Sequence, residues 1–287
     1  MTALFEKGRE GFLAGTYGFT TSVKCALLSP AANPTAGCKA ITGATVATPI
    51  AITCTAHGFA NGDIILVKGV GGNLAANGIW QVSGQTVNAF NLVDYLTAGN
   101  STGLGSYTSG GYAINLGPSS AGQFWNNFSG ALVGTAQAIA SPTVTAGVAD
   151  AADVTFTSVS GSVVDGIALY FDTGTASTSN MIMMNVGSHL VTADATAASS
   201  ATTIVVEPLA AAIPNSTTLT FSGGHTAVLS ALANQGDRSL TVTALAAQIT
   251  AGERALAPVT GSNLPITPNG GNITVTWDNG ANKIFKL

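Results

Sequence analysis

Few residues in this chain could do chemistry, and their spacing works against it. His57, His189 and His225 fall in three separate segments, and none has a cysteine or carboxylate at the spacing of a metal ligand. Cys25, Cys38 and Cys54 form neither a CxxC pair nor a histidine-associated zinc pattern. A cysteine nucleophile needs a positioned base, and Cys54 lies in a threonine-rich strand with no acid or base arranged beside it. All three cysteines therefore read as small apolar residues, and their odd number argues against a secreted disulfide framework. Asp150, Asp153, Asp165 and Asp172 sit in or next to turns. Aspartates on loops can hold calcium, but these fit no EF-hand spacing and no glutamate completes them, so they read as turn formers. Glu207 and Glu253, the carboxylates that could flank a sugar, both look solvent-facing. There is no GxSxG, no HExxH and no phosphate-cradling glycine loop. The expectation is a protein that is not an enzyme, with no metal and no cofactor.

One cluster could bind rather than react. Phe124, Trp125 and Phe128 stand on a polar background in a chain whose aromatic content is only 7%. Either they plug a core, or they anchor a neighbouring subunit, because aromatics are enriched at interfaces. Aromatics on a β-sandwich also suit sugar stacking, so a surface carbohydrate-binding module is a rival reading from another class.

Composition narrows the partners. Charged residues are 8% of the 287, against about 25% in ordinary globular chains. Disorder does not follow, since apolar residues reach 46% and alternate in strand-like runs. No lysine or arginine occurs between Lys68 and Arg238. A nucleic-acid partner would need clustered cations, and the net charge of −4 gives no attraction to an anionic membrane. Charges at Glu6, Lys7, Arg9 and Glu10 interrupt the N-terminal MTALFEKGREGFLAG, which excludes the reading of a signal peptide. No run approaches the roughly eighteen apolar residues of a membrane span. Folding in a reducing cytoplasm is expected.

The elements that would position these residues are mostly strands. Leu4–Leu13 suggests one short amphipathic helix stopped by Gly15, and Phe19–Leu28 reads as a strand. Residues 40–113 hold five or so short strands with turn signals between them, the pattern of a small β-barrel or sandwich. Val154–Phe156, Ile167–Phe171 and Met181–Val186 are further strands. Residues 188–261 contain an internal repeat: Thr203–Phe221 aligns with Ser239–Ala257 at an offset of 36 residues. At the C-terminal end, Ile273–Trp277, the turn Asp278-Asn279-Gly280 and Ile284–Leu287 read as a β-hairpin. The fold class expected is all-β. A discontinuous sandwich or barrel, residues 1–39, 114–187 and 262–287, carries the helix, and two small β-modules are inserted into it at 40–113 and 188–261. Strands Val154–Phe156, Ile167–Phe171 and Ile273–Trp277 are expected to share one sheet, with Trp277 and Phe285 largely buried.

Two resemblances add to this. His57–Asp63 (HGFANGD), Gly69–Asn73 (GVGGN), Ala75–Val82 (AANGIWQV) and Tyr107–Gly111 (YTSGG) resemble a module of phage tail and capsid-associated proteins. That module is similar to the first catalytic cysteine half-domain of ubiquitin-activating enzymes, a similarity that carries no catalytic cysteine. The outer segments resemble short virion structural proteins of tailed phages. The matching stretches are Leu4–Gly15 (LFEKGREGFLAG), Val144–Phe156 (VTAGVADAADVTF), Leu169–Ser179 (LYFDTGTASTS) and, most specifically, Leu264–Leu287. The resemblance implies a virion component that contacts the major capsid protein or other virion proteins and forms a homo-oligomer in the particle. Within that class a capsid decoration or cement protein is expected, because low charge permits dense packing of many copies without self-repulsion. A tail- or baseplate-associated subunit is the alternative.

Overall fold

A computed structural model describes residues 2–16, 18–20, 22–119, 122–259, 263–277 and 284–286. The fold is all-β, with one α-helix among the described residues, at Glu6–Leu13. The chain divides into two compact units. One comprises Thr2–Cys38, Leu116–Val186 and Asn263–Leu287; the other comprises Lys39–Asn115 and Gly187–Ser262.

The first unit is built on a five-stranded antiparallel sheet. Its order is Thr2–Leu4, Met181–Asn185, Gly166–Phe171, Val23–Leu28, Leu132–Ala138. One face packs Val23, Cys25, Leu27, Leu169 and Met183 against Ala149, Val154, Phe156 and Val275, which come from two smaller antiparallel sheets. The result is a sandwich. Successive residues point to opposite faces, and Ala26, Leu28, Ala168 and Tyr170 on the other face are buried as well. Burial on both faces is why these strands read as continuous apolar runs rather than clean alternation.

Three expectations change here. Ile273–Val275 pairs with Val154–Phe156, but Ile167–Phe171 belongs to the five-stranded sheet and faces that pair across the core. Among the described residues the C-terminal strands do not pair with one another, and Phe285–Lys286 pairs instead with Val148–Asp150. Residues 278–280, the expected turn, lie outside the described residues. Trp277 is half-buried, its indole N–H donating to Ala152 O at 3.0 Å. The helix buries Gly8 and Gly11, while Leu13 is 85% exposed. A Cβ on Gly8 would stand 2.8 Å from Met181 O and 2.9 Å from Ile182 Cα, so only glycine lets the helix lie this close to the strand.

In the second unit, the 39–115 segment forms most of a seven-stranded sheet. The order is Cys38–Ala40, Tyr112–Gly117, Ile64–Lys68, Gly78–Ser83, Ala89–Val93, Ala51–Thr53, Gly43–Ala44. Its inner face supplies one cluster that includes Ile52, Cys54, Ile65, Val67, Trp80, Val82, Phe90 and Leu92. Strands far apart in the order meet there, so the sheet curls around its own core. Backbone bonds tie the ends of each inserted segment together. Ile41 N–H donates to Gly111 O at 2.9 Å, and Val259 N–H to Gly187 O at 3.0 Å.

The 187–262 segment is a two-fold unit with its own core. Its buried residues fall into pairs 36 positions apart: Val191/Ala227, Ala193/Leu229, Ala197/Ala233, Ile204/Leu240, Val206/Val242, Leu209/Leu245, Ile213/Ile249, Leu219/Ala255 and Phe221/Ala257. The hydrogen bonds obey the same relation. Ser188–Thr192 pairs with Arg254–Pro258 in the register that joins Thr218–Thr220 to Thr226–Val228, and Ile204 lies opposite its own counterpart Leu240. Packing departs from symmetry in size alone. Leu219 stands opposite Ala227 and Val191 opposite Ala255, so in these two related ladders a large buried residue meets a small one.

Candidate functional site

The residues singled out for chemistry are mostly committed to structure. His57 is 1% exposed; its Nδ1 accepts from Phe59 N–H at 3.0 Å, and its Nε2 donates to Thr86 O at 2.7 Å. Both bonds require the neutral ring protonated on Nε2. Asp63, six residues on, is also buried and accepts from Ala60 N–H and from Asn115 Nδ2, each at 2.8 Å. The stretch HGFANGD is therefore a brace for a turn. Asn73 and Asn77 do the same work in the next loops. Asn73 Nδ2 donates to Thr45 O, and Asn77 bonds both Val70 N–H and Val70 O.

All three cysteines are buried and free. Burial pushes the Cys25 and Cys54 thiols up to about 12, which removes the thiolate that nucleophilic or thioester chemistry would need. The aspartates serve separate turns and braces. Asp150 caps Ala151 N–H, Asp153 accepts from Trp277 N–H, and Asp165 accepts from Ala31 N–H. Asp172 pairs with Lys24 at 2.7 Å, whose hydrogen bond holds the carboxyl below its ordinary range. Among the described residues no group of three His, Cys, Asp or Glu side chains could hold a metal ion.

The aromatic cluster turns inward. Phe128 is fully buried and meets Phe5 edge-on at 5.5 Å; Trp125 is 8% exposed and stacks on Tyr170 at 4.2 Å. Only Phe124 is half-exposed. Of the three, Trp125 and Phe128 pack within their own unit, Trp125 against Tyr170 on the second face of the five-stranded sheet. Gly37 confirms how tightly Phe128 fits, because a Cβ there would lie 2.5 Å from the ring.

What sequence reasoning missed is a joint inside the second unit. Asp94 follows the strand Ala89–Val93, and its Oδ1 accepts from Leu96 N–H, Thr97 N–H and Thr97 Oγ1 at 2.8–3.1 Å. Its Oδ2 receives Nη1 of Arg254, a residue 160 positions away. The Arg254 side chain is only 7% exposed, and its guanidinium lies 4.5 Å from the Tyr95 ring centroid, close enough for cation–π attraction. Burial opposes ionisation of Asp94, but the donors of Thr97 and Leu96 and the charge of Arg254 outweigh it, and the carboxyl sits below its ordinary range. Thr102 N–H donates to Ser222 O at 3.3 Å across the same joint. A hollow of about 170 Å³ lies nearby, lined by Leu74, Asn77, Thr218, Thr220 and Leu256.

Beside the joint, Glu253 is not solvent-facing as expected. Its carboxylate accepts from Gly223 N–H at 3.1 Å, Thr250 N–H at 2.9 Å and His225 Nδ1 at 3.1 Å. Glu207 is exposed. The His225–Glu253 pair has the look of a catalytic base with its orienting acid, but nothing among the described residues bonds His225 Nε2. These bonds brace turns within the 187–262 segment, while Arg254–Asp94 next to them fixes that segment against 39–115. Compared with known protein families and with curated proteins, the chain matches neither a family nor an individual relative.

Proposed function

We propose that this chain is a non-enzymatic structural protein of a tailed-phage particle, a capsid decoration or cement protein that binds the head lattice and stabilises it. One observation carries the reading. Four stretches that resemble virion structural proteins, spread from Leu4 to the C-terminal end, converge on a single unit. The helix Glu6–Leu13 packs on Met181–Asn185, Val148–Asp150 pairs with Phe285–Lys286, and Val154–Phe156 pairs with Ile273–Val275. Long-range pairing of this kind is what a single ancestral domain with tolerated insertions requires, because lengthening a surface connection costs only about 0.6 kcal/mol per doubling. Low charge and unreactive, buried thiols suit a protein packed in many copies on a surface. The partners in this reading are the major capsid protein and further copies of the chain.

A sugar-binding role loses its support here, since Trp125 and Phe128 are covered by their own unit. The deciding experiment is stoichiometry. Quantitative mass spectrometry of purified particles should find this chain at copy numbers comparable to the major capsid protein. A handful of copies per particle would favour a tail or baseplate subunit instead, and absence from the particle would end the virion reading.

A further inference from the structure

We propose that the two-fold module is also a docking surface for a second copy of this chain, used by exchange: two chains trade everything from Thr226 onward and close the same module between them. The observation is where its hydrogen bonds run. All three of its strand ladders join a residue before Ser222 to one after His225. The bridges Ala197↔Ile249 and Ile213↔Ala233 do the same, and only Ala193↔Val206 and Leu229↔Val242 stay within a half. Each half therefore leaves its core and its edges open, and the surface that completes it is the other half of any copy.

The two halves are linked by a single short connection. Phe221 N–H donates to His225 O at 2.8 Å, which leaves Ser222, Gly223 and Gly224 as the loop, with Gly224 at φ +84°. Straightening that loop converts Thr218–Thr220 and Thr226–Val228 into one continuous strand that pairs with its copy in the other chain. The exchanged block also carries Ile273–Val275 and Phe285–Lys286, whose partners Val154–Phe156 and Val148–Asp150 precede the hinge. The same exchange satisfies them in the partner, so every ladder is kept. What then separates closed monomer from exchanged dimer is loop geometry and concentration, the usual terms of domain swapping.

The test uses full-length chains. Thr203 and Thr241 are exposed and opposite each other. Val206 N–H donates to Arg238 O and Val242 N–H to Thr202 O, which makes 203/241 a non-hydrogen-bonded pair with close Cβ atoms. A Thr203→Cys chain and a Thr241→Cys chain, mixed, unfolded, refolded together and oxidised, should give a cross-chain 203–241 disulfide whose yield rises with total concentration. In closed monomers these cysteines never face each other. A second variant deletes Ser222–His225, leaving no residue between Phe221 and Thr226, where a hairpin loop needs about two. By light scattering it should be a dimer at concentrations where the intact chain is a monomer. Absence of the cross-chain disulfide at every concentration overturns the proposal, and so does a shortened chain that stays monomeric with native melting. If the shortened chain precipitates, the mixed refolding decides alone.

Discussion

Substitution at the Arg254–Asp94 joint should be costly and, more tellingly, unequal. Replacing Asp94 by Asn removes the charge facing a guanidinium that is 7% exposed and leaves it, among the described residues, the Tyr95 ring. A buried cation stripped of its partner costs about 3–5 kcal/mol. Replacing Arg254 by Met keeps much of the apolar stem, and the abandoned Asp94 still has Leu96 N–H, Thr97 N–H and Thr97 Oγ1. That loss is one charge-assisted bond and one cation–π contact, about 2 kcal/mol together. The double variant should cost less than the sum of the two, with a coupling of about 2 kcal/mol. Equilibrium urea unfolding of the four proteins measures this, as midpoint shifts at constant slope. The Asp94 carboxyl is depressed in the folded state, so the contribution is present above the unfolded carboxylate range and is lost as pH falls through the folded value, below about pH 4. Equal single costs with a coupling under about 0.5 kcal/mol would refute the reasoning and reduce the joint to an ordinary surface pair.

His189 is 2% exposed with no hydrogen-bond partner among the described residues, and burial lowers its pKa to about 4. A depressed histidine contributes stability above its unfolded value and loses it as pH drops, so about 3 kcal/mol should vanish between pH 6.5 and 4; His189→Leu should flatten the melting profile over that window. Gly8→Ala, which would stabilise an isolated helix by about 1 kcal/mol, should instead destabilise this protein by about 1–3 kcal/mol, because the added Cβ meets strand backbone; a rise in Tm would show that the helix can lift away freely. At pH 8 the native protein should resist iodoacetamide at Cys25, Cys38 and Cys54 and react at all three once unfolded; rapid labelling of Cys54 in the native state would reopen the question of thiol chemistry.

Much of the fold was legible because it is written in local pattern. Alternation marked most strands, and the turn residues marked their ends. The 36-residue offset exposed the duplication from Ile204/Leu240, Val206/Val242, Leu209/Leu245 and Ile213/Ile249, since each copy must present the same face to the same axis. The helix was legible too, but not its buried side: hydropathy ranks Leu13 above Gly8, whereas contact distance to Met181 and Ile182 is what selects glycine. Which strands pair was not legible either. Val154–Phe156, Ile167–Phe171 and Ile273–Val275 have the same texture, and only the register of the closed sandwich puts the first and last together and the middle one opposite. The same holds for function-bearing side chains. Phe124, Trp125 and Phe128 have identical claims to core or surface in one dimension, and packing against Tyr170 and Phe5 puts Trp125 and Phe128 inside. Nothing in the sequence ties Asp94 to Arg254 or Glu253 to His225. A polar side-chain contact is set by a few ångströms of space, and separations of 160 and 28 residues leave no periodic trace for a pattern to find.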